Sequence, residues 1–144
     1  MLIAGYKLGV YMGFWFFLLA MVLLIPLLMI GFGNYFKNHP PKEINCIFGY
    51  RTARSMKSKE TWDFAHRHSG RIWSVCGWIL LPVSASAMLP VLGKDIDTIG
   101  IVGAAVSMAQ VFVMIITIIP TEVALKKNFD EDGRRINDEN RKTL

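Results

Sequence analysis

Residues 14–30 read FWFFLLAMVLLIPLLMI, and they decide what kind of protein this is. They lie inside a run of 29 residues, 8–36, that carries no charge. Two further charge-free runs follow, 22 residues at 72–93 and 24 at 98–121. About 20 apolar residues at 1.5 Å rise each cross the hydrocarbon of a bilayer, so the three runs predict three transmembrane helices. Lipid offers no partner to a free backbone N–H or C=O, and the runs lack the alternating polarity of a barrel strand, so helix is the expected form. A signal peptide has an apolar core of about 7–15 residues and a small-residue cleavage site. The first run is too long and has no such site, and is expected to stay in the mature protein.

With 144 residues, 53% of them hydrophobic, the chain has room for one modest membrane domain. The expected spans are about 8–33, 70–92 and 98–121, with a loop at 37–69 and a tail at 123–144. Eight Lys and Arg residues fall in 37–71 and six after residue 122, whereas only Lys7 and Lys94 fall on the other side. The positive-inside rule then puts the N-terminus outside the cell membrane, with the loop and the C-terminal tail in the cytoplasm. The net charge of +5 is thus a topology signal and needs no nucleic acid; it also holds the loop against anionic headgroups. Cys46 in the reducing compartment and Cys76 in the second span predict no disulfide, and no spacing of cysteines suits a metal.

Within the first run Gly5, Gly9 and Gly13 recur on one helical face and would admit another backbone. Pro26 is a candidate kink. Tyr6, Tyr11 and Trp15 suit one membrane interface, Tyr35 and Phe36 the other. Pro40-Pro41 breaks helix and starts a linker. After it, "GYRT" reads as a turn with Gly49 at positive φ, and Ser55 or Ser58 can cap a helix start with Glu60 in its first turn. From Ser58 to about Trp73, residues Trp62, Ala65, His66, Ser69 and Trp73 share one face while Glu60, Asp63, Arg67 and Arg71 share the other. This predicts a short amphipathic helix lying at the cytoplasmic interface before the second span. Gly70, Gly77 and Ser84 recur every seven residues in span two, and Gly100, Gly103, Ala104 and Ser107 give span three a packing face. Such small-residue faces would also suit a homo-oligomer. Gln110, the only amide deep in a span, is expected to bond to a neighbouring helix. Asp97 or Thr98 is expected to cap span three. Helix is expected to continue a few turns past span three, with the remaining tail flexible.

The loop motif is Asn45, then Gly49-x-Arg51-Thr52-x-x-Ser55-x-x-Ser58-x-x-x-Trp62-x-x-Ala65-His66-Arg67, followed by a glycine and an apolar span. With the tail "TEVALKKNFDEDG" it resembles the SdpI family of small bacterial membrane proteins over about residues 20–133. The resemblance implies an all-α membrane fold and toxin resistance: the founding member is an immunity protein. It protects its producer from a membrane-active peptide and holds a transcriptional repressor at the membrane. The implied partners are therefore the lipid bilayer and a toxin peptide or a cytosolic regulator.

Each loop residue has a chemical and a structural reading. Arg51 is a fixed cation with five donors that can clamp a phosphate or carboxylate, or anchor the loop to lipid. Thr52, Ser55 and Ser58 add hydroxyls. Trp62 offers a ring at headgroup level, or is a belt residue. His66 can titrate near neutral pH, or serve as a packed, hydrogen-bonded histidine. His66 and His68 are two apart on a helix and point apart, which argues against a metal site with His39. Glu122, at the inner end of span three, is placed to pair with Arg51, Arg54 or Arg67. No catalytic motif is present, so no enzyme activity and no cofactor are expected. The rivals to peptide binding are an oligomeric transporter or channel subunit and a membrane scaffold that captures a cytosolic regulator.

Overall fold

The computed structural model describes residues 2–45 and 47–136. Cys46 and the tail beyond residue 136, with Arg141 and Lys142, lie outside the described residues. The chain forms α1 (Leu2–Asn38), α2 (Lys59–Met88), a 3-10 turn (Leu89–Val91), α3 (Ile96–Ile116) and α4 (Ile118–Asn128). Three helical segments are long and apolar enough to cross a membrane: Gly5–Asn38, Lys59–Val91 and Ile96–Asn128. Their outer faces expose Trp78, Ile101, Met108 and Phe112, each more than 60% accessible. Apolar cover on this scale is untenable in water and suited to lipid. This is a multi-pass, all-α membrane protein.

The amphipathic stretch is not a separate interfacial helix. It forms the first turns of α2, which runs unbroken from Lys59 to Met88. The stretch contains no proline, and the glycine at its end, Gly70, is held by packing. A Cβ on Gly70 would come 2.7 Å from the Gly33 carbonyl oxygen, and one on Gly33 would come 2.5 Å from the Ser74 amide. The two backbones therefore touch, and α1 packs chiefly on α2. Gly77 is used the same way, against the Pro26 carbonyl. By contrast, a Cβ at Gly5, Gly9 or Gly13 would meet nothing within 4 Å, so that face packs on no other part of the described chain.

Pro26 does not end α1. Proline has no N–H, so the Val22 carbonyl loses its helical donor. Gln110 of α3 supplies one: its Nε2 donates to the Val22 oxygen at 3.0 Å and to Ser84 Oγ at 2.6 Å. The expected bond from Gln110 to a neighbouring helix is thus made twice, while its Oε1 has no partner among the described residues. Pro120 acts differently, because Ile116 loses its partner and the third segment breaks at Thr117 into α3 and α4.

Trp15 is no belt residue. It is buried in a cluster with Val22, Met88, Val91 and Ile99. Its Nε1–H donates at 2.7 Å to the Met88 carbonyl. That carbonyl lies where α2 tightens into the 3-10 turn and the Leu92 amide bonds to Leu89. Asp95, rather than Asp97 or Thr98, caps α3, accepting from the Thr98 amide at 2.9 Å. The Thr98 hydrogen bonds hold the Asp95 carboxyl below the usual range. Past α4, residues 129–136 fold back toward α2. Asp130 Oδ1 accepts from the Asp132 and Arg134 amides, and the Phe129 ring packs on Phe64 of α2.

Candidate functional site

Loop 39–58 is folded onto the start of α2, where α1 ends and α4 ends. This is the basic end of the bundle. Five charged residues, Lys59, Glu60, Asp63, Arg67 and Arg71, mark the first turns of α2, and its charge-free run begins only after Arg71.

Asn45 starts the loop. Its Oδ1 accepts from the Ile47 and Phe48 amides at 3.1 and 2.8 Å, which turns the chain into Gly49. Gly49 has φ +115°, as expected of the turn, and lies against the imidazole of His66. A Cβ here would come less than 3.0 Å from His66 Nε2. The next amide, Tyr50 N–H, donates to that nitrogen at 2.9 Å. On the other side of the ring, Nδ1 is 2.8 Å from the Trp62 carbonyl. An N–H aimed at Nε2 requires a lone pair there, so the ring is the neutral Nδ1–H tautomer. Burial holds the His66 pKa below its ordinary value, partly opposed by the Trp62 carbonyl.

Trp62 is fully buried, which overturns its reading as a belt residue. Its ring lies 4.3 Å from that of His66, and its Nε1–H donates to the Pro41 carbonyl at 2.9 Å. The linker prolines are thus tied to α2. Thr52 and Ser55 close a reciprocal box. The Thr52 amide donates to Ser55 Oγ at 2.9 Å, the Ser55 amide donates to Thr52 Oγ1 at 3.2 Å, and Ser55 Oγ reaches the Tyr50 carbonyl at 3.0 Å. Ser58 caps α2 through a capping box with Thr61. Its hydroxyl also donates to the Gly133 carbonyl at 2.8 Å, docking the tail.

Glu122 meets Tyr50. The Tyr50 hydroxyl is 3.0 Å from Glu122 Oε1 and 3.2 Å from the Ile118 carbonyl. Burial, then the Glu122 hydrogen bond and charge, push the Tyr50 phenol well above its ordinary pKa, so it stays a donor. Tyr50 therefore binds the loop to α2 through its amide and to α4 through its hydroxyl. The sequence reading missed it; the aromatic directly after the positive-φ glycine was the available signal.

A cavity of about 360 Å³ lies beneath this loop. Phe32, Phe36, Phe48, Trp73 and Ile118 line it, together with Arg51 and Thr52 of the loop. Trp73 is held by donation of its indole N–H to Thr117 Oγ1 at 3.0 Å. Arg67 lies elsewhere. With Glu60, Asp63, His68, Arg71 and Arg135 it lines a separate polar groove, also about 360 Å³. Across that groove the docked tail returns Arg135 to within 3.6 Å of Glu60. Among the described residues no group of His, Cys, Asp or Glu is placed to hold a metal ion.

The SdpI/YfhL protein family model matches residues 42–121, more than half of the chain and this loop from residue 42 onward. A curated relative, "Uncharacterized protein YfhL" of Bacillus subtilis (strain 168), is 42% identical over 53 residues, 37% of this chain. The match covers 48% of that protein, so the chain spans about half the length of the curated relative. No solved structure matches.

Proposed function

The chain belongs to the SdpI/YfhL protein family, and from that premise we propose that it is a non-catalytic membrane protein conferring resistance to a membrane-active antimicrobial peptide by binding. The observation that supports this reading is the cavity: an aromatic lining, an arginine and a hydroxyl from the loop, and a loop backbone clamped to α2 and α4. Arg51 and Thr52 meet the ligand. Asn45, Gly49, Ser55, Ser58, Trp62 and His66 hold the loop in shape, and Glu122 ties it to α4 through Tyr50. Arg67 serves a different surface.

Fourteen of the sixteen Lys and Arg residues fall in 37–71 or after residue 122, so we place this end at the cytoplasmic face of the cell membrane and the N-terminus outside. An impermeant thiol reagent added to intact cells should leave a cysteine introduced at position 54 unlabelled; labelling would reverse the topology. The direct test of function is a peptide challenge of cells expressing the wild type or Arg51→Ala at equal membrane abundance. Expression should raise tolerance, and the variant should lose it. Equal protection by both would remove the cavity from the mechanism.

One observation favours a second reading. The polar groove with Arg67 and the docked tail would suit capture of a cytosolic regulator, to be tested by its recovery with the membrane fraction and its loss in Arg67→Glu. A transport role has less to draw on, because Trp15, Val22, Met88 and Gln110 fill the space between the helices. It would require a homo-oligomer, for which the uncovered Gly5–Gly9–Gly13 face is the place to crosslink.

A further inference from the structure

We infer that the cavity and the groove continuing it along α1 form one binding site for an anionic glycerophospholipid, with one acyl chain in the groove and the phosphate against Arg51 and Thr52. The inference rests on the preceding reading only in setting the basic end against the inner leaflet, not in the protection itself.

The shape argues for a lipid. A second apolar depression of about 350 Å³ lies along α1, lined by Leu27, Leu28, Gly31 and Tyr35, and shares Phe32 and Phe48 with the cavity. The path therefore continues from the loop toward the middle of the membrane. Leu27 to Phe36 spans about 13 Å at 1.5 Å per residue, close to the roughly 15 Å hydrocarbon depth of one leaflet. The groove is thus as long as a single chain is deep. Phe32 and Phe48 are 38% and 42% exposed, so the walls stand open to the surroundings of the bundle rather than sealing a pocket. The floor at Gly31 is open, since a Cβ there would meet nothing within 4 Å.

The charge argues for an anionic headgroup. The one cation of the lining, Arg51, sits with Thr52 at the loop end of the path, where a phosphate would lie if the chain ran down the groove. Arg51 presents a planar fork suited to phosphate oxygens, and Thr52 a hydroxyl. The surrounding end carries an excess of Lys and Arg, which favours a net anionic lipid over one bearing a cationic choline. The clamp described above fixes these groups before a lipid arrives: Gly49 under His66, Tyr50 on Glu122, Thr52 on Ser55. Less ordering is then required on binding.

The test uses the full chain purified in neutral detergent, mixed with equal amounts of phosphatidylglycerol and phosphatidylcholine, with retained lipid counted by native mass spectrometry. The wild type should retain one phosphatidylglycerol with about tenfold preference, the scale of one charge-assisted contact. Arg51→Ala should erase the preference, Ile118→Trp should expel both lipids, and Lys127→Ala on the exposed tail side should change neither. Equal retention of the two lipids by the wild type, or an unchanged preference in Arg51→Ala, overturns the site. So does the converse result, in which an apolar peptide with a free C-terminal carboxylate binds in an Arg51-dependent way and phosphatidylglycerol does not. Should Ile118→Trp fail to fold, the Arg51→Ala arm decides alone. Protection that depends on Arg51 without lipid preference sinks this inference and spares the functional reading; lipid preference without protection does the reverse.

Discussion

Gly49→Ala tests the junction on which the loop depends. The alanine Cβ would sit less than 3.0 Å from His66 Nε2, whereas ordinary contact begins near 3.4 Å. The glycine's φ of +115° is also a conformation that L side chains rarely adopt. Holding alanine there costs about 1–3 kcal/mol. The alternative is for the loop to lift off the ring, and then the Tyr50 N–H···Nε2 bond of 2.9 Å breaks. That leaves a part-buried donor and acceptor unpaired, at about 1–3 kcal/mol. The two costs partly substitute for one another, so the net loss is about 2–4 kcal/mol. For a chain of this size that is roughly a 10 °C fall in melting temperature. The assay is thermal unfolding in detergent, with Gly100→Ala as control, because a Cβ at Gly100 meets nothing within 4 Å. If Gly49→Ala melts within about 2 °C of the control, the loop is not held by this contact, and the account of the site fails.

Three further outcomes follow from the same geometry. Tyr50→Phe removes the bridge to Glu122 and should cost about 1–2 kcal/mol by thermal unfolding, with faster proteolysis of loop 42–57; unaltered proteolysis would show that the loop is held elsewhere. His66 is neutral when folded, with a lowered pKa, while the unfolded ring takes a proton near about 6.5. Its contribution is therefore full above about pH 6.5 and lost as the pH falls below that, so the melting temperature should drop between about pH 7.5 and about pH 5.5. His66→Gln should flatten the drop, with His68, also lowered by burial, keeping the remainder; an unchanged slope would refute the assignment. Finally, Gln110→Leu should destabilise the wild type more than it does a Pro26→Ala background, where residue 26 can again donate to Val22. The coupling should be about 1 kcal/mol in a double-mutant cycle, and strict additivity would refute the link.

The three membrane helices were legible because charge spacing alone marks where a chain can enter lipid: 29, 22 and 24 uncharged residues leave few alternatives. Ser58 as a helix cap, Gly49 at positive φ, and Gly70, Gly77 and Ser84 as a packing row were equally local signals, set by the geometry of one turn or one helical face. What depended on distant chain segments could not be read. Trp15 and Trp62 look like interface residues by type, yet each is buried and donates its indole N–H to a carbonyl far off in the chain, at Met88 and at Pro41. The glycine rows of α1 and α2 look alike in sequence, but only one faces another helix. The amphipathic stretch has the period of an interfacial helix, and only its union with the second span showed that the same period serves to pack His66 under the loop. Side-chain spacing fixes which residues share a face; which face is covered, and by what, depends on the packing of segments far apart in the chain, and the tertiary structure alone decides it.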